Sequence, residues 1–250
     1  MSIADELLAR IGWQLETLSS DELAVVLEWT TTLSSLQLTE TILPGSDIAS
    51  PEFAAAFRNR LRAHHAINPS RLSRTQFEDA FESAGRAAGR HIGQRAGATE
   101  RFWDVCIDDR RISLKTEGAQ SLRESFLHIS KLTEAAWIQD CRTQAARRDR
   151  TIDLFGRYEA AVDRIIVLRA YPNQNFYELV EIPTSIFSKV GELPLRAFTA
   201  ESPSIPVPFE SAEPDFTLKL DRSDAKITIA RIRKATCIVH ATWSWPLSGG

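Results

Sequence analysis

The feature that most constrains this chain is a switch in the period of its apolar residues near Thr99. Before it, in ADELLARIGWQLETL and DELAVVLEWTTTLSSL, apolar residues recur every three or four positions, the spacing of amphipathic helices. After it, in FWDVCI and RISLKT, apolar and polar residues alternate, as in a half-buried strand. A chain with both periods must pack helices on a sheet, and the order of the remaining segments fills in the plan.

Residues 1–100 are expected to be mostly helical. Ser20 before Asp21 and Glu22 reads as a helix start, Pro44-Gly45-Ser46 breaks the pattern, Ser50-Pro51-Glu52 opens another helix, and a further one runs from about Ser73 to the glycines beyond Ala88. Residues 122–148 read as a long helix, followed by a shorter one around IDLFGRYEAAV. DRIIVLRAYP and FYELVEIP read as antiparallel strands joined by the turn Tyr171-Pro172-Asn173-Gln174-Asn175. The five prolines between Glu192 and Pro214 predict a long loop, and FTLKLDRSDAKITIARI and KATCIVHATWSWP predict closing antiparallel strands. The expected fold is α/β (α+β), a mixed central sheet flanked by helices, with a helical region over 1–72 continuous with a core over 73–250.

A chain of 250 residues can bury one large core. Thirty basic against thirty-three acidic residues leave a net charge of −3, which excludes coating a polyanion by bulk charge and requires any such site to be a local patch. Cys106, Cys141 and Cys237 are isolated, so neither a disulfide framework nor a thiolate zinc site is indicated, and a reducing cytoplasmic setting is expected. The acidic, amphipathic start lacks the pattern of a secretory signal. GxxxxGK[ST], GxGxxG after a strand and GxSxG are all missing from the sequence, which removes the simplest nucleotide-binding and serine-hydrolase readings.

The chemistry concentrates in WDVCIDDRRISLKTEG, residues 103–118. With Asp109 and Arg110 as a two-residue turn, Cys106 faces Ser113, Asp104 faces Lys115 and Phe102 faces Glu117. Alternation then puts Trp103, Val105, Ile107, Ile112, Leu114 and Thr116 on an apolar face, and Asp104, Cys106, Ser113, Lys115 and Glu117 on the other. On an exposed hairpin an Asp104–Lys115 pair would be a surface ion pair worth about 0–1 kcal/mol. In a sheet covered on both sides, charges in that place need a functional reason. A carboxylate beside a lysine suits metal-assisted phosphodiester hydrolysis, with carboxylates holding Mg²⁺ and the lysine orienting water or steadying developing negative charge.

Asp104, the eight residues after it and then Ser113-Leu114-Lys115 resemble the core of the PD-(D/E)xK nuclease superfamily, in which an aspartate on one strand faces an acid-x-lysine on the next. The likeness extends softly over residues 73–190. Two positions depart from the pattern: Trp103 stands before the aspartate in place of proline, and Ser113 stands where an acid is usual. The resemblance implies a type II restriction endonuclease, a Mg²⁺-dependent homodimer that cuts double-stranded DNA and is accompanied by a cognate DNA methyltransferase. It assigns Asp104 to metal and Lys115 to the attacking water, with the carboxylate missing at Ser113 coming from Glu117, Glu78 or Glu82, and Glu124 a weaker choice. A repair or junction-resolving nuclease and a non-catalytic binding module are the alternatives.

Arg142, Arg147, Arg148 and Arg150 crowd the end of the expected long helix, and Lys219, Arg222, Lys226, Arg231, Arg233 and Lys234 stud the closing strands. Such residues neutralise phosphates or reach guanine edges, and Asn173, Gln174 and Asn175 are suited to adenine edges. The same residue types are equally at home on solvated faces, at helix C-termini and in turns.

Overall fold

The computed structural model describes residues 2–97, 102–120, 122–171 and 174–246. Helices α1 (Ile3–Leu15) and α2 (Ser20–Ser35) each begin with a capping box. For α2 the cap is Ser19 rather than Ser20: its hydroxyl accepts from Glu22 N–H and the Glu22 carboxylate accepts from Ser19 N–H. The region expected to be helical also holds a short strand, β1 (Thr39–Ile42). α3 (Pro51–His65) starts at a Ser50 cap with proline in its first turn, and α4 (Arg74–Ala87) starts at a Ser73 cap and ends before Gly89, whose φ of +72° stops the helix.

The hairpin consists of β2 (Val105–Ile107) and β3 (Arg110–Glu117). Its turn residues are Asp108 and Asp109, both left-handed (φ 50° and 61°), not Asp109 and Arg110. Aspartate tolerates that conformation and a primed turn requires it twice in succession. Val105 therefore sits opposite Ile112 and Cys106 opposite Arg111, two residues away from the expected pairing of Cys106 with Ser113. Because strand faces repeat every two residues, this slide leaves both faces intact.

The largest departure lies in residues 122–148. Instead of a long helix they form β4 (Phe126–Glu134), the single turn α5 (Trp137–Asp140) and the start of α6 (Gln144–Ala161), capped by Thr143. The apolar spacing of Phe126, Leu127, Ile129 and Leu132 fits either period, and pairing with a distant strand decides it. β5 (Arg164–Tyr171) and β6 (Phe176–Ile182) pair antiparallel as expected. The proline-rich segment contains a strand, β7 (Ser204–Val207), at the edge of a sheet, where prolines are tolerated. β8 (Phe216–Asp221), β9 (Lys226–Arg233) and β10 (Ile238–Ser244) close the chain.

The central sheet runs β1-β10-β6-β5-β3-β2, with β3 parallel to β5 and the other neighbours antiparallel, and a second sheet runs β4-β9-β8-β7. α3 and α4 cover one face of the central sheet through Phe53, Phe57, Phe77 and Phe81, which pack with Trp243. α6 and the second sheet cover the other face through Leu154, Phe155, Leu218 and Ile229. β1 and α3, both within 1–72, are thus built into the central sheet and its core. No helix among the described residues is long and apolar enough to cross a membrane.

One buried arginine ties the two sheets together. Arg169 on β5 is inaccessible to solvent and donates to Glu117 on β3 (2.8 Å), Glu178 on β6 (3.0 Å) and the carbonyls of Arg123 and Phe126 at the entry to β4 (2.6 and 2.9 Å). Replacing it with methionine strands the Glu117 carboxylate and leaves Glu178 to Lys234 and Tyr171. Arg169→Met is expected to cost about 3–5 kcal/mol, read as a lower urea midpoint with an unchanged slope.

His65, at the end of α3, packs between Tyr177 and Trp245, and its Nε2 lies 2.9 Å from the Tyr177 hydroxyl. Burial, with neighbouring His64, holds its pKa down at about 4 against an ordinary 6.5. The folded state disfavours the charged ring, so this contribution to stability is complete above pH 6.5 and is lost as pH falls toward 4. The melting temperature is expected to decline over that window, and His65→Gln to flatten the decline; an unchanged pH slope in the variant would refute the assignment.

Candidate active site

Asp104 lies immediately before β2. Its N–H donates to the Ile112 carbonyl (2.9 Å), and its carboxylate accepts the Leu114 N–H through Oδ2 (2.6 Å). The hairpin backbone thus aims the carboxylate across to β3. Lys115 Nζ stands 3.7 Å from the same Oδ2 and donates to Ser113 Oγ (2.7 Å). The slid register brings Asp104 opposite Ser113, so it meets Lys115 on the diagonal, within reach of a long side chain.

A helix contributes the next two groups. Arg74, in the first turn of α4, donates to both Asp104 Oδ1 and Glu78 Oε1, spanning the two carboxylates. Only 17% of the Glu78 side chain is exposed, and burial, reinforced by the charge of Asp104, raises its carboxyl pKa. Burial lowers the Lys115 ammonium to about 8, against the opposing pull of Asp104. Charges this deeply desolvated differ from the exposed ion pair considered above. Arg74, Asp104 and Lys115 open onto a cleft of about 840 Å³ whose walls also include Phe102, Trp137 and Arg157.

The other candidate carboxylates are engaged elsewhere. Glu117 shares the face of Lys115 but is drawn to Arg169, and Glu82, one turn beyond Glu78, is held by Arg95 (2.7 Å) and Arg86 (3.1 Å). Glu124 lies in the turn before β4 rather than on a helix.

The basic clusters also change meaning. The arginines at 142–150 mark the beginning of α6, not the end of a helix. Arg147 is buried and donates to the carbonyls of Phe198, Thr199 and Cys141, which locks α6 onto the following 3₁₀ turns and leaves it no phosphate. Arg148 donates to the Leu193 carbonyl (2.8 Å). On the closing strands Lys226 pairs with Asp224, Arg233 with Glu213 and Lys234 with Glu178, while Arg231 is exposed over the Phe126 ring. Gln174 is exposed, Asn175 is a left-handed turn residue, and Asn173 lies outside the described residues.

Three features escape a reading of spacing. Arg74 acts through the fold alone. Tyr158 on α6 is buried edge-on to Phe102, with a hydroxyl that borders Ser113 and makes no hydrogen bond among the described residues; burial pushes its pKa well up. Asp47, Glu181 and His240 also bring ligand atoms within 4.8 Å of one another, on the opposite face from Lys115. Arg164 bonds both of those carboxylates, and His240 Nε2 lies 3.1 Å from Glu181.

A family model described as SmaI, type II site-specific deoxyribonuclease, matches residues 14–245. The type II restriction enzyme SmaI of Serratia marcescens is 29% identical over 213 residues, covering 80% of this chain and 83% of its own length. No solved structure matches. The family match takes in the hairpin, the helix that carries Arg74 and Glu78, and both sheets, and this chain therefore belongs to the SmaI family as a type II restriction endonuclease, acting on double-stranded DNA.

Proposed function

We propose that the enzyme hydrolyses DNA phosphodiesters with Mg²⁺ at a site of the PD-(D/E)xK type, in which Asp104 and Glu78 hold the metal and Lys115 serves the attacking water. The observation that carries this reading is the Arg74 guanidinium spanning Asp104 and Glu78 while Lys115 stands beside Asp104. Two converging, desolvated carboxylates demand a shared positive charge, and an all-oxygen pair suits a hard divalent ion. Bound there, Mg²⁺ supplies neutralisation of the scissile phosphate and acidification of a bound water.

The protein's own groups complete the chemistry. Ser113 anchors Lys115 Nζ, so the ammonium is held where it can orient water and face negative charge developing on the phosphate. Glu78 compensates for the acid that Ser113 lacks. Arg74, with 56% of its side chain exposed, is able to leave the carboxylates for a DNA phosphate when metal enters. Lys131 and Arg157 on the cleft wall are the strongest positions for backbone contacts, with exposed Arg231 and with Arg148, Lys226, Arg233, Lys234, Gln174 and Asn175 secondary because they do not line the cleft. The enzyme works as a homodimer, one site per strand, over a nuclease core of residues 73–250. It acts in the cytoplasm alongside a methyltransferase that protects the host's sites.

Asp104→Ala and Lys115→Ala are expected to lower plasmid cleavage at least ~10²-fold, the scale of a lost electrostatic or acid–base group. The discriminating set is Glu78→Gln, Glu82→Gln and Glu117→Gln, assayed across a Mg²⁺ titration. Glu78→Gln should lose cleavage and shift the Mg²⁺ requirement upward, while the other two keep the wild-type Mg²⁺ dependence. Wild-type cutting by Glu78→Gln, with loss in either of the others, would move the second carboxylate.

A further inference from the structure

Arg71, just ahead of α4, is an exposed arginine among engaged ones. Asp104 and Glu78 hold Arg74, Glu82 holds Arg86, Asp108 holds Arg90, and Glu82 and Asp79 hold Arg95. Arg71 makes no hydrogen bond and no ion pair among the described residues. Its place is nevertheless set. The Cδ and guanidinium lie against Gly118, just beyond β3, so closely that a Cβ on residue 118 would overlap them. The Gly118 backbone is not left-handed, so what this glycine supplies is room for the arginine and not conformational freedom.

The surroundings favour an anion. A recess of about 400 Å³ beside Arg71 is walled by His65, Gln120, Asn175, Tyr177 and Trp245, and none of its described lining residues is acidic. A guanidinium with free donors and no facing carboxylate is suited to gripping a phosphate through two parallel hydrogen bonds. The position also continues the cleavage site. Arg71 stands three residues ahead of Arg74, and Gly118 three residues beyond Lys115, so both segments that build the proposed site run on to this arginine.

We infer that Arg71 clamps a backbone phosphate of the DNA close to the one that is cut, and that the bare backbone of Gly118 seats the guanidinium for that contact. The placement rests on the assignment of Asp104 and Lys115 to the reacting centre. Strand rise puts Gly118 about 10 Å beyond Lys115. Successive phosphates of one DNA strand advance about 3.4 Å along the duplex axis, so the clamped phosphate lies a few nucleotides from the scissile one. Contact at Lys115 alone fixes one point on the backbone. A second contact fixes its direction, which aligned attack by water requires.

The test measures equilibrium binding without Mg²⁺, over a range of salt, to two fluorescent duplexes, one carrying the sequence the enzyme cuts and one lacking it. Arg71→Ala should weaken both by the same factor, about tenfold, and reduce the slope of log affinity against log salt by about 0.9, the share of one phosphate. Arg71→Lys should restore the slope because it keeps the charge, and both variants should melt as wild type does. Gly118→Ala leaves every charge in place but displaces the guanidinium. It should lose as much affinity as Arg71→Ala, and the double variant no more than either. Arg10→Ala, on exposed α1, is the control for a lost charge alone and should bind as wild type. An unchanged slope in Arg71→Ala would overturn the inference, as would Gly118→Ala binding as tightly as wild type. A loss confined to the duplex with the cut sequence would also overturn it, making Arg71 a reader of bases. Because binding is read without cleavage, cutting by Asp104→Ala would defeat the catalytic assignment alone, and an unchanged salt slope in Arg71→Ala would defeat the clamp alone.

Discussion

The arrangement of this molecule turns on Arg169, a cation with no access to water. A guanidinium so placed is stable only if its donors are filled and its charge is matched, and the fold supplies two carboxylates and backbone carbonyls from three segments. Meeting that demand fixes the register of β3, β5 and β6 and draws the entry of β4 against them. It also engages Glu117, on the same face as Lys115, away from the proposed site. Tyr171 and Lys234 complete the same network by donating to Glu178, so the basic residue on the last 3₁₀ turn serves the core before it serves any ligand.

With Glu117 engaged and Ser113 unable to carry charge, the polar side of the hairpin holds a single carboxylate, Asp104. The second proposed carboxylate comes from a helix lying across the hairpin edge, and Arg74, one turn earlier on that helix, is what draws Glu78 and Asp104 together. Desolvation makes this arrangement meaningful. It raises Glu78 and lowers Lys115, both toward neutrality, so each group is less content in the absence of an added charge than it would be on a surface. Ser113 keeps a structural task, accepting from the Lys115 ammonium that the proposed chemistry uses.

The hairpin and its faces were legible because strand alternation is strict and because a two-residue error of register leaves faces unchanged. The turn was misplaced since Asp108, Asp109 and Arg110 all suit a turn on composition, and only the left-handed backbone at both aspartates tells them apart. Helix starts at Ser50 and Ser73 were legible from capping chemistry, which is local. β4 was not: its apolar residues satisfy both periods, and its partner β9 lies about a hundred residues away. The choice of Glu78 over Glu117 was illegible for a related reason, since it depends on Arg169, far from both in sequence. Of the basic clusters, composition revealed their presence and not their partners.

That last point bears on how an acidic chain holds DNA. On the closing strands Lys226 pairs with Asp224, Arg233 with Glu213 and Arg222 with Glu201, while Arg231 stays exposed over the Phe126 ring. The cleft differs. Arg74, Lys131 and Arg157 line it beside the proposed metal carboxylates, and their present partners lie on exposed, mobile-length side chains or within the site itself. Exposed ion pairs are worth at most about 1 kcal/mol and exchange readily for phosphate. Positive charge therefore stands beside the proposed reacting groups in pairs that a phosphate can displace, which allows a net charge of −3 to coexist with local engagement of a polyanion.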